Sequence, residues 1–204
     1  MNKLLKQLLL VCVCLFALTG QAIADSLSDA DGAYDAGDYA QAGKLFRPLA
    51  EQGNAQAQLN LGWMYSNGQG VPQDYKKAVK WYQLAAKQGN AYAQLNLGMM
   101  YDNGQGVPQD YKEAVKWLRL AAKQGDAKAQ ANLGVKYDKG QGVPQDYALA
   151  YMWVSIAAVN ASARELKQLA ASYRDSIAKK MTAQQIAKAQ QLAKKCTAKK
   201  FKGC

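Results

Sequence analysis

The chain has 204 residues, a formal net charge of +11, half of its residues hydrophobic, four cysteines and no histidine. The missing histidine removes the commonest general base, and with it the Ser-His and Cys-His nucleophile arrangements. Only two of the cysteines, Cys196 and Cys204, lie outside residues 1–24, too few without histidine for a zinc site, so no catalytic residue, cofactor or metal is expected.

Residues 1–24 stand apart. Lys3 and Lys6 precede the apolar run LLLVCVCLFAL, and Ala22-Ile23-Ala24 forms a small-residue cleavage site before Asp25. This is the pattern of a secretory signal peptide. The rival, a membrane helix, needs about 20 apolar residues, more than the run supplies. Cys12 and Cys14 both follow valine, which disfavours a lipoprotein site. Export and cleavage leave residues 25–204, about one domain by length.

Residues 25–49 form a short two-helix unit. Gly37-Asp38 makes its turn and cap, and Leu45, Phe46 and Leu49 face inward. Then GQGVPQDY occurs at residues 68, 104 and 140, always 36 residues apart. Whole units recur around it at 50–85, 86–121 and 122–157, and the first two differ at 7 of 36 positions. A fixed period of that size marks a stacked repeat array. Within a unit, Asn54 (Asn90, Asp126) is placed to cap a first helix carrying Ala57, Leu61 and Tyr65 at helical spacing. Gly62, Gly98 and Gly134 fall in mid-helix. Glycine there costs about 1 kcal/mol against alanine, so its recurrence predicts a close helix approach. Gly68, Gly70 and Pro72 break the helix. Asp74, and Asp110 and Asp146 after it, cap a second helix carrying Ala78, Trp81 and Ala85, with Asp110 and Glu113 at capping-box spacing. Gly53, Gly89 and Gly125 end the second helices. Trp81, Trp117 and Trp153 are expected on the seam between helices. The fold class expected is all-α: an α/α superhelical solenoid of helix–loop–helix repeats with helical N- and C-terminal caps.

The series Ala57, Leu61, Gly62, Tyr65, Gly68, Gly70, Val71, Asp74, Ala78, Trp81, Ala85, Ala86 resembles the Sel-1-like repeat, a relative of the tetratricopeptide repeat. The match recurs in the next two units and covers residues 50–158, with a looser half-match at 31–49. The resemblance implies a protein–protein interaction module in a bacterial envelope: a scaffold, an inhibitor or an adaptor. Some periplasmic relatives are immunity proteins that block antibacterial lipase toxins. A cysteine-rich group linked to β-lactams has a cysteine pair in each repeat, which these repeats lack.

The C-terminal segment, 158–204, leaves the repeat. Residues 161–180 read as a helix with Leu166, Leu169, Tyr173 and Ile177 in a stripe. Thr182 and Gln185 form a capping box opening a second helix to about Lys195. Lysines and arginines balance acids at 13 each over 25–162, whereas 163–204 holds 11 basic and 2 acidic residues. The basic tail includes Lys194, Lys195, Lys199, Lys200 and Lys202. It suits an anionic lipid or glycan or an acidic protein, or is simply a solvated helical face. Export disfavours nucleic acid. Cys196 and Cys204, the two cysteines left after cleavage, suggest a disulfide. The C-x-x-C spacing of a redox pair is absent.

By analogy with tetratricopeptide geometry, the first helices line a concave surface. The candidate partner-binding residues are Gln56, Leu59, Trp63, Tyr92, Leu95, Met99, Lys128 and Val135. Tryptophan, tyrosine and methionine are typical of interface centres. The competing reading packs some of them against neighbouring helices. The function expected is non-catalytic binding of another protein by a periplasmic or secreted chain, with the immunity role and the anionic envelope surface as alternatives.

Overall fold

The computed structural model describes residues 26–201, 203 and 204. The expected signal peptide and Lys202 lie outside the described residues. Residues 26–35 form α1. Then follow α2 (Tyr39–Glu51), α3 (Ala55–Asn67), α4 (Tyr75–Lys87), α5 (Ala91–Asn103), α6 (Tyr111–Lys123), α7 (Ala127–Lys139), α8 (Tyr147–Asn160), α9 (Arg164–Ala178) and α10 (Ala183–Ala198). Among the described residues there is no strand, and no helix is long and apolar enough to cross a membrane. The chain forms two compact units, divided after Asp74.

In the first unit, Asp38 caps α2 by accepting from the Gln41 backbone N–H, and Phe46 and Leu49 are buried. Asn54 caps α3 through the N–H of Ala57. The helices are tied by Tyr34, whose hydroxyl donates to Gln69 at 2.9 Å, and by Asn60, which donates to Asp31 at 3.0 Å.

In the second unit the caps repeat: Asn90 and Asp126 open α5 and α7, and Asp110 and Asp146 open α6 and α8. Glu113 does not complete a capping box; its carboxylate pairs with Lys116 at 3.0 Å instead. Each first helix lies between two second helices, α5 against α4 and α6, α7 against α6 and α8. A Cβ on Gly98 would come within 2.9 Å of Leu118, and one on Gly134 within 2.4 Å of Val154. The close approach is therefore real, and any larger residue would push the helix pair apart.

Two further devices join successive repeats here. The buried amides of Gln94 and Gln130 donate to the carbonyls of Ala86 and Ala122, at 3.1 and 3.0 Å. Each accepts in turn from further along the chain, Gln94 from Gln124 of the next repeat at 2.8 Å and Gln130 from Asn160 at the end of α8 at 3.0 Å. Buried polar groups must be paired, and pairing them across the seam fixes register. The second device is the loop. Gly106 and Gly142, at φ 74° and 75°, press onto the first residue of an earlier helix. A Cβ there would meet the carbonyl oxygens of Tyr75 and Tyr111 at 2.3 and 2.1 Å.

The C-terminal end departs from the repeat. Both α9 and α10 pack on α8. That helix is buried nearly all round, including Tyr151, Met152, Trp153, Val154 and Ile156. This corrects the expectation for the seam tryptophans. Trp153 is 1% exposed, but Trp81 and Trp117 are only half-buried. The reason is α10: Leu192, Ala193 and Cys196 pack into the cluster that holds Trp153 and Ile156, and α4 and α6 have no such cover in this unit. The Thr182–Gln185 capping box opens α10. Cys196 and Cys204 are disulfide-bonded, with Cα atoms 5.7 Å apart, and place Phe201 against the same cluster.

Candidate functional site

The second unit has an apolar cleft of about 370 Å³ on its first-helix side. Met99 of α5, Lys128, Ala131, Asn132 and Val135 of α7, and Val154 of α8 form one wall. Leu166, Leu169, Ala170 and Tyr173 of α9 form the other. The volume has a simple origin. The position filled by Leu59 and Leu95 in the earlier repeats is Ala131 here, and the position of Trp63 and Met99 is Val135. Smaller side chains on α7 leave space that α9 encloses without filling. A concave apolar site with a few polar groups at its margin is the usual form of a binding pocket. Lys128 is the charged residue on this wall, and it is exposed.

One wall is held by a polar network. Asp138 is buried; Tyr173 Oη donates to its Oδ2 at 2.7 Å and Lys180 Nζ to its Oδ1 at 2.8 Å. The ammonium of Lys180 also lies 5.3 Å from the centre of the Tyr147 ring. One repeat earlier, Lys136 pairs with Asp102 and stands 5.0 Å from the centre of the Tyr111 ring. The same arrangement is thus built twice, the second time with a cation from the turn after α9. Burial alone would raise the pKa of Asp138, but the bonds from Lys180 and Tyr173 outweigh it and hold the carboxyl below its ordinary value. Burial, with Asp138 beside it, pushes the Tyr173 hydroxyl up, and the Asp138 bond raises Lys180.

These shifts carry a prediction. A carboxyl depressed below the ordinary value of about 3.9 stabilises the fold above about pH 4 and loses that contribution as pH falls through its folded value. The raised Lys180 and Tyr173 keep their contribution up to about pH 10. Asp138→Asn is expected to cost about 1–2 kcal/mol at neutral pH, with the half-exposed Lys180 tempering the loss. It should also make the melting temperature less sensitive to acid between about pH 5 and 3. Melting curves across that range check it; an unchanged acid limb would contradict the assignment.

The structure sorts the candidate residues. Met99, Lys128 and Val135 meet at the cleft. Tyr92 lies two turns before Met99 and is exposed, as Lys128 lies two turns before Val135. In the first unit, Gln56 and Trp63 are exposed. Leu59 and Leu95 are not surface residues: they are 8% and 5% exposed and belong to the core. A helix packed on both sides keeps only a narrow open stripe at i, i+7, and their position falls outside it. The sequence places Leu166, Leu169 and Tyr173 on the stripe of a capping helix; in the structure they line the cleft. Of the basic tail, Lys194, Lys195, Lys199 and Lys200 are exposed.

Comparison with known proteins agrees with this architecture. The family model described as Sel1 repeat matches residues 30–54, 55–90, 91–126 and 127–158. Curated protein sequences yielded no significant match. Among solved structures, one similar chain is c5321, "a protective antigen present in uropathogenic Escherichia coli strains displaying an SLR fold". It is 43% identical with a TM-score of 0.66, over 72% of this chain and 33% of that one. A second is a Sel1 repeat protein from Oxalobacter formigenes, 32% identical with a TM-score of 0.63, over 82% of this chain and 74% of that one. The chain thus spans about a third of c5321.

Proposed function

The chain belongs to the Sel1 repeat family, whose all-α solenoid repeats are non-enzymatic scaffolds that bind other proteins, and from that premise we propose that its binding surface is the cleft between α7 and α9. The partner is a protein that inserts apolar side chains between Met99, Val135 and Leu169. Lys128 at the margin favours a partner with a carboxylate beside them. The carrying observation is the cleft itself, open because Ala131 and Val135 stand where other repeats have larger side chains. The protein acts in the bacterial envelope, a reading supported by the signal-like residues 1–24 and by a disulfide suited to an oxidising compartment.

The test begins with recovery of partners of the purified protein from an envelope extract. Leu169→Glu places a charge at an exposed cleft residue, so it should melt as wild type does. Losing a buried interface anchor typically costs about 2 kcal/mol, roughly thirtyfold in affinity. A recovered partner that binds the Leu169→Glu and wild-type proteins equally would place the binding surface elsewhere.

A further inference from the structure

The overall balance of charge in the repeats hides a segregation. Helix α4 carries four lysines and no acid. Helix α6 carries three lysines, Arg119 and a single acid, Glu113. Between these cations lies an apolar row in the same register of the two helices: Trp81 and Leu84 on α4, Trp117 and Leu120 on α6. Leu84 is 38% exposed and Leu120 42%, while both tryptophans are half-buried. The equivalent pair on α8, Trp153 and Ile156, is buried to 1% and 3%. What covers it is known, because it is part of this chain. The amphipathic helix α10 lies against α8 and applies Leu192, Ala193 and Cys196 to that cluster.

We propose that the row Trp81, Leu84, Trp117, Leu120 is a second docking surface, which receives an acidic amphipathic helix of a partner protein much as α8 receives α10. The α8–α10 contact supplies the pattern: Leu192, Ala193 and Cys196 on one helix stripe, packed in one cluster with Trp153 and the aliphatic Ile156 one turn on. Charge supplies the specificity. On α8, the positions of Lys112, Glu113, Lys116 and Lys123 are Ala148, Leu149, Met152 and Val159, so a basic helix can cover α8 without repulsion. On α4 and α6 the cations remain, and they select a helix with carboxylates flanking its apolar stripe. An anionic bilayer is the less suitable occupant. Both tryptophans are only partly exposed, and the Lys116 ammonium stands 5.4 Å from the centre of the Trp117 ring. The lysines would meet the headgroups before the rings reached the acyl region. This surface is separate from the α7–α9 cleft and does not depend on it.

The probe is a peptide of residues 183–198 carrying Lys188→Glu, Lys194→Glu, Lys195→Glu and Cys196→Ala, blocked at both ends and stapled on its polar face to hold it helical. Its binding to the purified protein is followed by tryptophan fluorescence and calorimetry. The expected result is saturable binding that weakens with salt and is at least tenfold weaker in a Leu84→Gln, Leu120→Gln variant that melts as wild type does. Leu169→Glu should bind the peptide as wild type does, which separates this surface from the cleft. Absence of binding, or equal binding by the Leu84→Gln, Leu120→Gln variant, would overturn the proposal. So would binding of the wild-type protein to vesicles of one part phosphatidylglycerol to three parts phosphatidylcholine that the variant loses, because the face would then be a membrane surface.

Discussion

Trp153→Ala is expected to destabilise the second unit by about 3–5 kcal/mol, the cost of truncating a fully buried tryptophan. The ring is 1% exposed and sits in the cluster that joins α8 to α10. Removing it leaves a cavity between helices that are locked in place by the repeats on one side and the disulfide on the other, so collapse around the void is limited. Trp117→Ala, in the same register one repeat earlier, should cost about 1–2 kcal/mol, because that side chain is only partly buried. Thermal melts of the two variants check the difference. Equal losses would mean that α10 does not cover α8 in solution.

Gly142→Ala is expected to cost about 2–5 kcal/mol, more than any ordinary glycine substitution. Two terms combine. A φ of 75° places the residue in the left-handed region, which costs an L-residue about 1–2 kcal/mol. The added Cβ would also stand 2.1 Å from the carbonyl oxygen of Tyr111, which is backbone at the start of α6 and cannot rotate aside; overpacking of this kind adds about 1–3 kcal/mol. Gly89→Ala separates the terms. Its φ is 92°, but no atom lies within 4 Å of the added Cβ, so only the conformational cost applies. Denaturant midpoints of the two variants check this. If they agree, the loop does not press on the neighbouring helix.

Local features were legible in the sequence because their causes are local. The caps at Asn90 and Asp126, the box at Thr182 and the helix-ending Gly89 and Gly125 depend only on a few adjacent residues. So do the mid-helix glycines, because a residue that weakens a helix three times at one register needs a packing reason. The recurrence of GQG marks a break in the helix; that its second glycine staples one repeat to an earlier one depends on contacts far apart in sequence.

The site was half legible. Met99, Lys128 and Val135 belong to it, whereas the sequence pattern puts Leu59 and Leu95 on a surface from which packing on both sides removes them. Two signals pointed to the rest. The replacement of leucine by Ala131 at one register is a lost volume, and lost volume beside a covering helix makes a cleft. The second signal is α8. Lys112, Glu113, Lys116 and Lys123 of α6 become Ala148, Leu149, Met152 and Val159, and a helix apolar on all sides must be covered on all sides. The tie from Lys180 to Asp138, 42 residues apart, left no periodic mark because it breaks the repeat spacing.

The central claim is that a partner protein enters the cleft between α7 and α9. The most direct measurement places a photo-crosslinking amino acid at residue 169 and, separately, at the exposed Lys188 of α10, in protein expressed in its own cells. Irradiation should join the residue-169 protein to one discrete partner, whose yield collapses when Val135→Asp is added and the fold is retained. Residue 188 should give no such product. A residue-169 protein that forms no adduct, or one whose adduct survives Val135→Asp unchanged, would contradict the account.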